Sequence, residues 1–329
     1  IVAAYSESED GDVTSNQDST DCWILKLDSK GAIKWKKSLG GSGTEYANTA
    51  IETKDGEYII TGSTRSKDGD ITGNHGATDA WVIKLDDKGN VKWKKAYGGS
   101  KDDNGFILLE AKEGGYIMAG TTSSTDGQVI SNHGYSDCWI VKMDTSGKIE
   151  WQNTLGGPST DYTSYLQPTI DGGYILSAST GSAELTGWHG NADYWLAKLD
   201  KDGVVEWENC YGGKDADYSV SVEQTKDKGY LIGGYSISID GDITEFKGFM
   251  DYWMVKTDST GTIEWQKNLG GKQSDYGYTA HETKDGGYIM TGWTISTDGD
   301  IKGNHGAYDA WVVKLKGSPT DITEIIPNH

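Results

Sequence analysis

The stretch "DGDITGNHGATDAW" (68–81) gathers three aspartates, an asparagine and a histidine into fourteen residues, all types that bind metals or move protons. Calcium takes six to eight oxygens from carboxylates, amide or backbone carbonyls and water. Asp68, Asp70, Asn74 and Asp79 supply several of these. The same set recurs as Asp10, Asp12, Asn16 and Asp21, and as Asp298, Asp300, Asn304 and Asp309. The spacing is not that of an EF-hand loop, whose glycine and distal glutamate are missing. Calcium is therefore one reading of the stretch. The other is an Asx-turn, in which carboxylates bond nearby backbone N–H groups. Other copies are weaker: Asp126 with Gln128, Glu184 alone, and Asp240 with Asp242 where Phe246 replaces the asparagine.

His75, His133, His189 and His305 share one repeat position, taken elsewhere by Gln17 and Lys247. A triad needs a nucleophile, a base and an orienting group within hydrogen-bond reach, and no such set stands out. A turn histidine bonding its own loop is the favoured reading. A third group is acidic. Glu45, Asp103, Asp161, Asp217 and Asp275 each stand four residues after a Gly-Gly pair, and Tyr46, Tyr162, Tyr218 and Tyr276 follow four of them. These acids open a strand that is innermost if the fold is a propeller. They would then ring a channel mouth and bind a cation or sugar hydroxyls. The alternative is that each acid caps its own loop. Glycosidase chemistry needs two carboxylates at a set separation with distinct roles, which a symmetric ring does not provide. Finally, Trp188 and Trp293 break the repeat, standing where another copy has Asn74 and Ser63. They suggest sugar stacking or a protein contact, against plain local packing.

The elements that carry these residues follow from a repeat. "DCWILKLD", "DAWVIKLD", "DCWIVKMD", "DYWLAKLD", "DYWMVKTD" and "DAWVVKLK" are six copies of one segment, centred on Trp23, Trp81, Trp139, Trp195, Trp253 and Trp311. Successive tryptophans are 58, 58, 56, 58 and 58 residues apart, a constant period that marks a repeat architecture. One unit (45–99) holds four β-type segments, A to D, rich in β-branched and aromatic residues and bounded by Gly or Asp. Short Gly-containing hairpins join A to B and C to D. A longer polar loop joins B to C, and this loop holds the stretch quoted above. Segment C is apolar on both faces, as expected of a sheet sandwiched between two others. Four strands per unit, repeated six times, predict an all-β six-bladed β-propeller of four-stranded antiparallel blades. It would span 1–316 as one domain. Asp-x-x-Gly-x-x-x-Trp recurs between C and D, with Trp35, Trp93, Trp151, Trp207 and Trp265 placed to dock between blades.

That last pattern resembles the tryptophan-docking repeat of quinoprotein dehydrogenase propellers. Those enzymes have eight blades and a quinone site with a vicinal disulfide. This chain has three separated cysteines, Cys22, Cys138 and Cys210, so the docking role carries over and the cofactor does not. The whole chain from 1 to 316 more closely resembles secreted Bacteroidetes repeat proteins with the wording DGGYI-x-x-G-x-T-x-S-x-DGD-x-x-GNHG-x-x-D-x-WVVKLD. That resemblance implies a secreted or cell-surface location. It also implies type IX secretion as a partner system if a C-terminal sorting domain follows.

Closure is read from the ends. Ile1 aligns with Ile59, so the first unit lacks segment A, and the last unit has no Asp/Gly/Trp turn. The expected count is 22 strands against 24 for six complete blades. Within the tail 317–329, Asp321–Ile326 is the candidate closing strand, and the tail otherwise serves as a linker. The two ends are expected to meet in one blade. A missing upstream segment, up to a seventh blade, is the alternative.

Lys plus Arg number 30 against 50 Asp plus Glu, for a net charge of -20. Such a charge repels nucleic acid and anionic membranes, and no apolar run is long enough to span a bilayer. The cysteines have no metal or disulfide spacing and read as small buried residues. The leading functional expectation is a secreted interaction or adhesion scaffold without catalysis, binding a surface protein or glycan. It needs no cofactor, with calcium as the one candidate ion. A carbohydrate-binding propeller using loop-face acids and aromatics is the first alternative, and a glycan-active enzyme at the channel mouth the second.

Overall fold

The computed structural model describes residues 1–8, 10–13, 20–317 and 322–325. Two compact units divide the chain, Ile1–Gly156 and Gly157–His329. In the first, β1 (Val2–Ser6), β2 (Asp21–Leu27) and β3 (Ile33–Leu39) form one sheet. The next is β4 (Glu45–Glu52), β5 (Tyr58–Thr64), β6 (Asp79–Leu85) and β7 (Val91–Tyr97). The third is β8 (Asp103–Glu110), β9 (Tyr116–Thr122), β10 (Asp137–Met143) and β11 (Ile149–Leu155). The second unit repeats the plan. Its sheets are β12 (Asp161–Pro168) to β15 (Val205–Tyr211) through β13 (Tyr174–Thr180) and β14 (Asp193–Leu199), then β16 (Asp217–Gln224), β17 (Tyr230–Ser236), β18 (Asp251–Thr257) and β19 (Ile263–Leu269). The last holds β20 (Asp275–Glu282), β21 (Tyr288–Thr294), β22 (Asp309–Leu315) and β23 (Ile322–Ile325). All neighbours within a sheet are antiparallel, and no helix occurs among the described residues.

The ends differ from expectation in one respect. β23 pairs with β22, Val313 opposite Ile325, so the last sheet acquires its own fourth strand. The first sheet keeps three. The two termini therefore belong to different sheets, because the tail takes the strand D register beside β22 and leaves none of the described tail to complete the first sheet.

The sequence pattern explains the layering. β5 and β6 are buried at every position, whereas β7 is mostly exposed or half-buried until its end. Middle strands therefore need cover on both faces, and the indoles of Trp81, Trp139, Trp195 and Trp253 lie fully inside it. The lysine three places after each of these tryptophans is also buried, which the apolar reading of segment C overlooked. Lys256 is held by Asp227 at 2.9 Å and Glu264 at 2.8 Å, and Lys198 by Asp171 at 2.9 Å and Glu206 at 2.8 Å. A buried ammonium is tolerated because it is paired on both sides.

The docking tryptophans join successive sheets inside each unit. Trp35 donates from Nε1 to Asp87 O at 3.1 Å and meets Tyr58 edge-on at 5.6 Å. Trp93 donates to Thr145 O at 3.1 Å, and Trp207 meets Tyr230 edge-on at 5.6 Å. The turn glycine lies under the preceding tryptophan: a Cβ on Gly261 would sit 2.7 Å from the Trp207 ring, with φ at +85°. Gly261→Ala is expected to cost about 1–3 kcal/mol in a urea melt. Gly286→Ala, at φ +80° but with open space around it, should cost less. Equal losses would show that the ring contact contributes nothing.

Candidate functional site

The five acids that open the first strands are not at an open rim. Glu45, Asp103, Asp161, Asp217 and Asp275 are all fully buried. Asp103 accepts from Gly99 N at 2.7 Å, from Ser124 Oγ at 2.7 Å and from Thr122 Oγ1. Asp275 repeats the set with Gly271 N at 2.7 Å, Ser296 Oγ at 2.9 Å and Thr294 Oγ1. Glu45 accepts from Gly41 N at 2.9 Å and Thr64 Oγ1 at 2.7 Å. Asp161 and Asp217 hold the N–H groups of Gly157 and Gly213, both at 2.8 Å. Each acid thus holds the Gly-Gly linker through one carboxylate oxygen, and Asp217 Oδ1 alone of the five acids' oxygens is buried without a hydrogen-bond donor.

A second acid meets Glu45, Asp103, Asp217 and Asp275 at the first glycine of the pair. A Cβ on Gly212 would lie 2.6 Å from Asp217 Oδ2 and 2.8 Å from Asp193 Oδ1. Two buried carboxylates so placed resist ionising together. Burial pushes Asp217 up to about 6, with the Asp193 charge adding to the effect. Burial likewise pushes Asp251 up to about 6, with Asp275 adding.

The Asp-Gly-Asp loops are staples as well, but their partners are distant in sequence. Asp68 Oδ1 accepts from Ser42 N at 2.8 Å, and Asp298 Oδ1 from Lys272 N at 2.8 Å, each spanning 26 residues. These bonds from backbone N–H groups hold both carboxyls below the usual carboxylate range. Asp300 Oδ2 accepts from Gly270 N at 3.1 Å, and Asp70 donates its own N–H to Gly40 O at 2.7 Å. Asn74 bridges Thr64 O and Gly76 N, and Asn304 bridges Ser296 O and Gly306 N. Asp79 lies buried, its Oδ2 bonded to the N and Nδ1 of His75 at 3.0 and 2.6 Å. Asp309 accepts from His305 N at 2.5 Å. In the first copy Asp10 and Asp12 are exposed, Asp12 facing Lys36 at 3.0 Å, while Asp21 is buried; Asn16 lies outside the described residues. The candidate calcium sets are therefore drawn to separate partners. No group of three or more His, Cys, Asp or Glu is arranged to hold a metal among the described residues. The histidines bond their own loops. Cys22, Cys138 and Cys210 are buried and in no disulfide, and burial pushes the Cys22 and Cys210 thiols up.

What the structure does assemble is aromatic. In the second unit a cleft of about 540 Å³ is lined by Tyr162, Tyr218 and Tyr235 together with Asn191 and the hydroxyl residues Ser159 and Thr160. Tyr162 is 54% and Tyr218 39% exposed. From the cleft a run of rings leads outward: Tyr218 to Tyr235 at 5.4 Å, Tyr235 to Tyr276 at 4.4 Å, Tyr276 to Trp293 at 4.2 Å and Trp293 to Tyr308 at 4.9 Å. Trp293 Nε1 also donates to Tyr278 OH at 3.2 Å. Strand pairing explains the run, since Tyr218 is opposite Tyr235 and Tyr276 opposite Trp293. Trp293 thus joins a cluster, whereas Trp188 is only half-buried in its loop with Nε1 inside. Tyr235, missed in the sequence, occupies the same repeat position as Trp293, which holds Tyr5, Ser63, Thr121 and Ser179 in the other repeats. The variability of that position was its signal.

No protein-family model matches the chain. The regulatory protein FlaEY of Caulobacter vibrioides is 23% identical over 362 residues, covering 96% of this chain; the chain spans only 37% of that relative's length. Among solved structures, a protein of unknown function from Bacteroides caccae aligns over 90% of this chain and 86% of its own, with 12% identity and a TM-score of 0.42. A puromycin hydrolase aligns over 92% of this chain and 43% of its own, with 10% identity and a TM-score of 0.47.

The raised Asp251 carboxyl fixes the sign of a pH effect. Its folded pKa lies above the unfolded value, so its favourable contribution is full below about 4 and lost as pH rises through about 6. Asp251→Asn should therefore gain stability relative to the parent between pH 4 and 7, by at most about 3 kcal/mol. A parallel pair of stability curves would contradict the buried acid pair. With the Asp68, Asp298 and Asp300 carboxylates committed to backbone donors and Asp12 to Lys36, the melting temperature is expected to be unchanged by a chelator. A fall of several degrees would restore a structural calcium.

Proposed function

We propose that the chain is a non-catalytic interaction module, a six-bladed β-propeller acting outside the cell or on its surface, and that it binds carbohydrate at the Tyr162–Tyr218–Tyr235 cleft. The single observation that carries this is the composition of the cleft. Three tyrosines offer flat apolar faces, and Asn191, Ser159 and Thr160 offer donors and acceptors beside them. Sugars present both kinds of surface, C–H faces and hydroxyl edges. A concave site with aromatic walls and a few placed polar groups suits such a ligand. The propeller reading is supported by six repeated antiparallel sheets whose middle strands need cover on both faces. The extracellular reading is supported by the resemblance of the repeat wording and by the acidic surface. The non-catalytic reading is supported by the acids: those with strong perturbation are bound into the frame rather than facing the cleft.

A glycan array followed by calorimetry tests this. Tyr162→Ala and Tyr218→Ala should each weaken binding of the best glycan by about tenfold or more, with the melting temperature kept. Trp188→Ala should leave binding unchanged. Absence of binding to any glycan, or binding indifferent to both tyrosines, would refute the carbohydrate reading. Release of new reducing ends from the bound glycan would replace it with a glycan-active enzyme.

A further inference from the structure

We infer that the first unit holds a second, separate site: the basic cleft between its second and third sheets binds a phosphate- or sulfate-type oxyanion. The chain carries a net charge of -20, so a local concentration of cations needs a reason. The cleft has a volume of about 530 Å³, and its lining includes Lys94, Lys95, Lys148, His75, Gln128 and Tyr97 but no carboxylate. Two acids beside it have partners of their own, and the charge of one, Asp144, also reaches Lys95. Asp79 holds His75, and Asp144 accepts from the N–H groups of Ser146 and Lys148 at 2.8 and 2.9 Å. Lys94, Lys95 and Lys148 form no ion pair among the described residues. By contrast Lys36 is paired with Asp12 at 3.0 Å and Lys92 with Glu57 at 2.5 Å.

The site departs from the repeat, as a functional site must. β3 and β7 both carry Lys-Trp-Lys-Lys, at 34–37 and 92–95, whereas β11 and β15 have Gln152-Asn153 and Glu208-Asn209 at the last two places. Lys148 stands on a turn where the other units have Ala32, Asn90, Val204 and Thr262. β7 with the third sheet's turn is therefore the junction where strand lysines meet a turn lysine. Lysines on an outer strand also discourage edge-to-edge pairing. That explains Lys94 and Lys95 but not Lys148, which is off the strand.

The cleft is built rigidly. Tyr97 OH donates to Gly147 O at 2.6 Å, and Trp93 Nε1 donates to Thr145 O at 3.1 Å. These bonds fix the turn that presents Lys148 against the face of β7 that carries Lys95 between Trp93 and Tyr97, so little ordering is left for the ligand to impose. The chemistry selects the anion. Lysine ammonium groups are compact point charges that converge on a tetrahedral oxyanion, without the planar fork by which arginine grips a carboxylate. The volume leaves room for the group that carries the oxyanion, such as a sulfated sugar.

The test uses the intact chain and three probes: inorganic phosphate, dextran sulfate oligosaccharide and neutral dextran of equal length. Dextran sulfate should bind, neutral dextran should not bind at this site, and raising NaCl from 50 to 500 mM should weaken the interaction. The double variant Lys95→Gln/Lys148→Gln should bind about tenfold more weakly. The control Lys34→Gln/Lys37→Gln makes the same charge change on β3 and should leave affinity unchanged, as should Tyr162→Ala, which separates this site from the carbohydrate cleft. Inorganic phosphate competing at equal concentration would identify a free ion as the ligand; failure to compete alongside tight dextran sulfate binding would identify a polymer-borne group. Either outcome keeps the oxyanion site. Equal weakening in both double variants, or no binding of either anion, would overturn it.

Discussion

The rest of the structure depends on one constraint: in the four sheets from β4 to β19 the two middle strands are buried on both faces at nearly every position. A sheet of this kind cannot stand alone in water. An aromatic side chain buries about 150–250 Å², which at about 25 cal/mol per Å² is roughly 4–6 kcal/mol for each fully buried indole before entropy is charged against it. A single net hydrogen bond contributes about 1 kcal/mol. Burial of Trp81, Trp139, Trp195 and Trp253 is thus the driving term, and the polar network is what makes the packing unique.

That network sits where successive sheets join. Carboxylates such as Asp103 and Asp275 reach three donors each, spread over a linker glycine, a strand end and a loop serine. Burying a carboxylate is expensive unless its oxygens are satisfied, so each acid holds its three partners in one arrangement. The docking tryptophans Trp35, Trp93 and Trp207 do the same further along, with the turn glycine of the following sheet beneath each of these rings. The repeated residues are in this sense consumed by the frame. Chemistry that differs from one unit to the next is left to the variable positions: Tyr235 and Trp293 where the second and fourth repeats carry serine, and Lys148 where other turns carry small or neutral residues.

Much of the frame was legible in the sequence. The tryptophan period, the alternation of β-type segments with Gly-containing turns and the two-faced apolar character of the third segment are local signals. They led directly to the strands now seen, β4 to β7 being close to the segments read from 45–99. The turn role of the histidines was legible for the same reason, since His75 and Asp79 are four residues apart. The role of the Asp-Gly-Asp loop was not. Its carboxylates looked ready for a cation or for their own backbone, and instead they hold N–H groups 26 and 30 residues away. For the acids after the glycine pairs, the loop-capping alternative is the one seen, each accepting from the N–H four residues before it; their full burial was not legible, because a charged side chain next to a loop reads as solvated until its donors are known.

The sequence by itself determined the period, the strand content and which residues repeat, because each depends on neighbours a few positions apart along the chain. Tertiary structure alone decided which residues face one another across sheets. It brought Tyr162 to Tyr218 and Tyr235 in one cleft and Lys148 to Lys94 and Lys95 in another. In the linear sequence these groups are more than 50 residues apart, and no local propensity encodes their approach. The physical reason is that side-chain proximity between sheets is set by how two buried faces pack, a property of the pair of surfaces rather than of either segment.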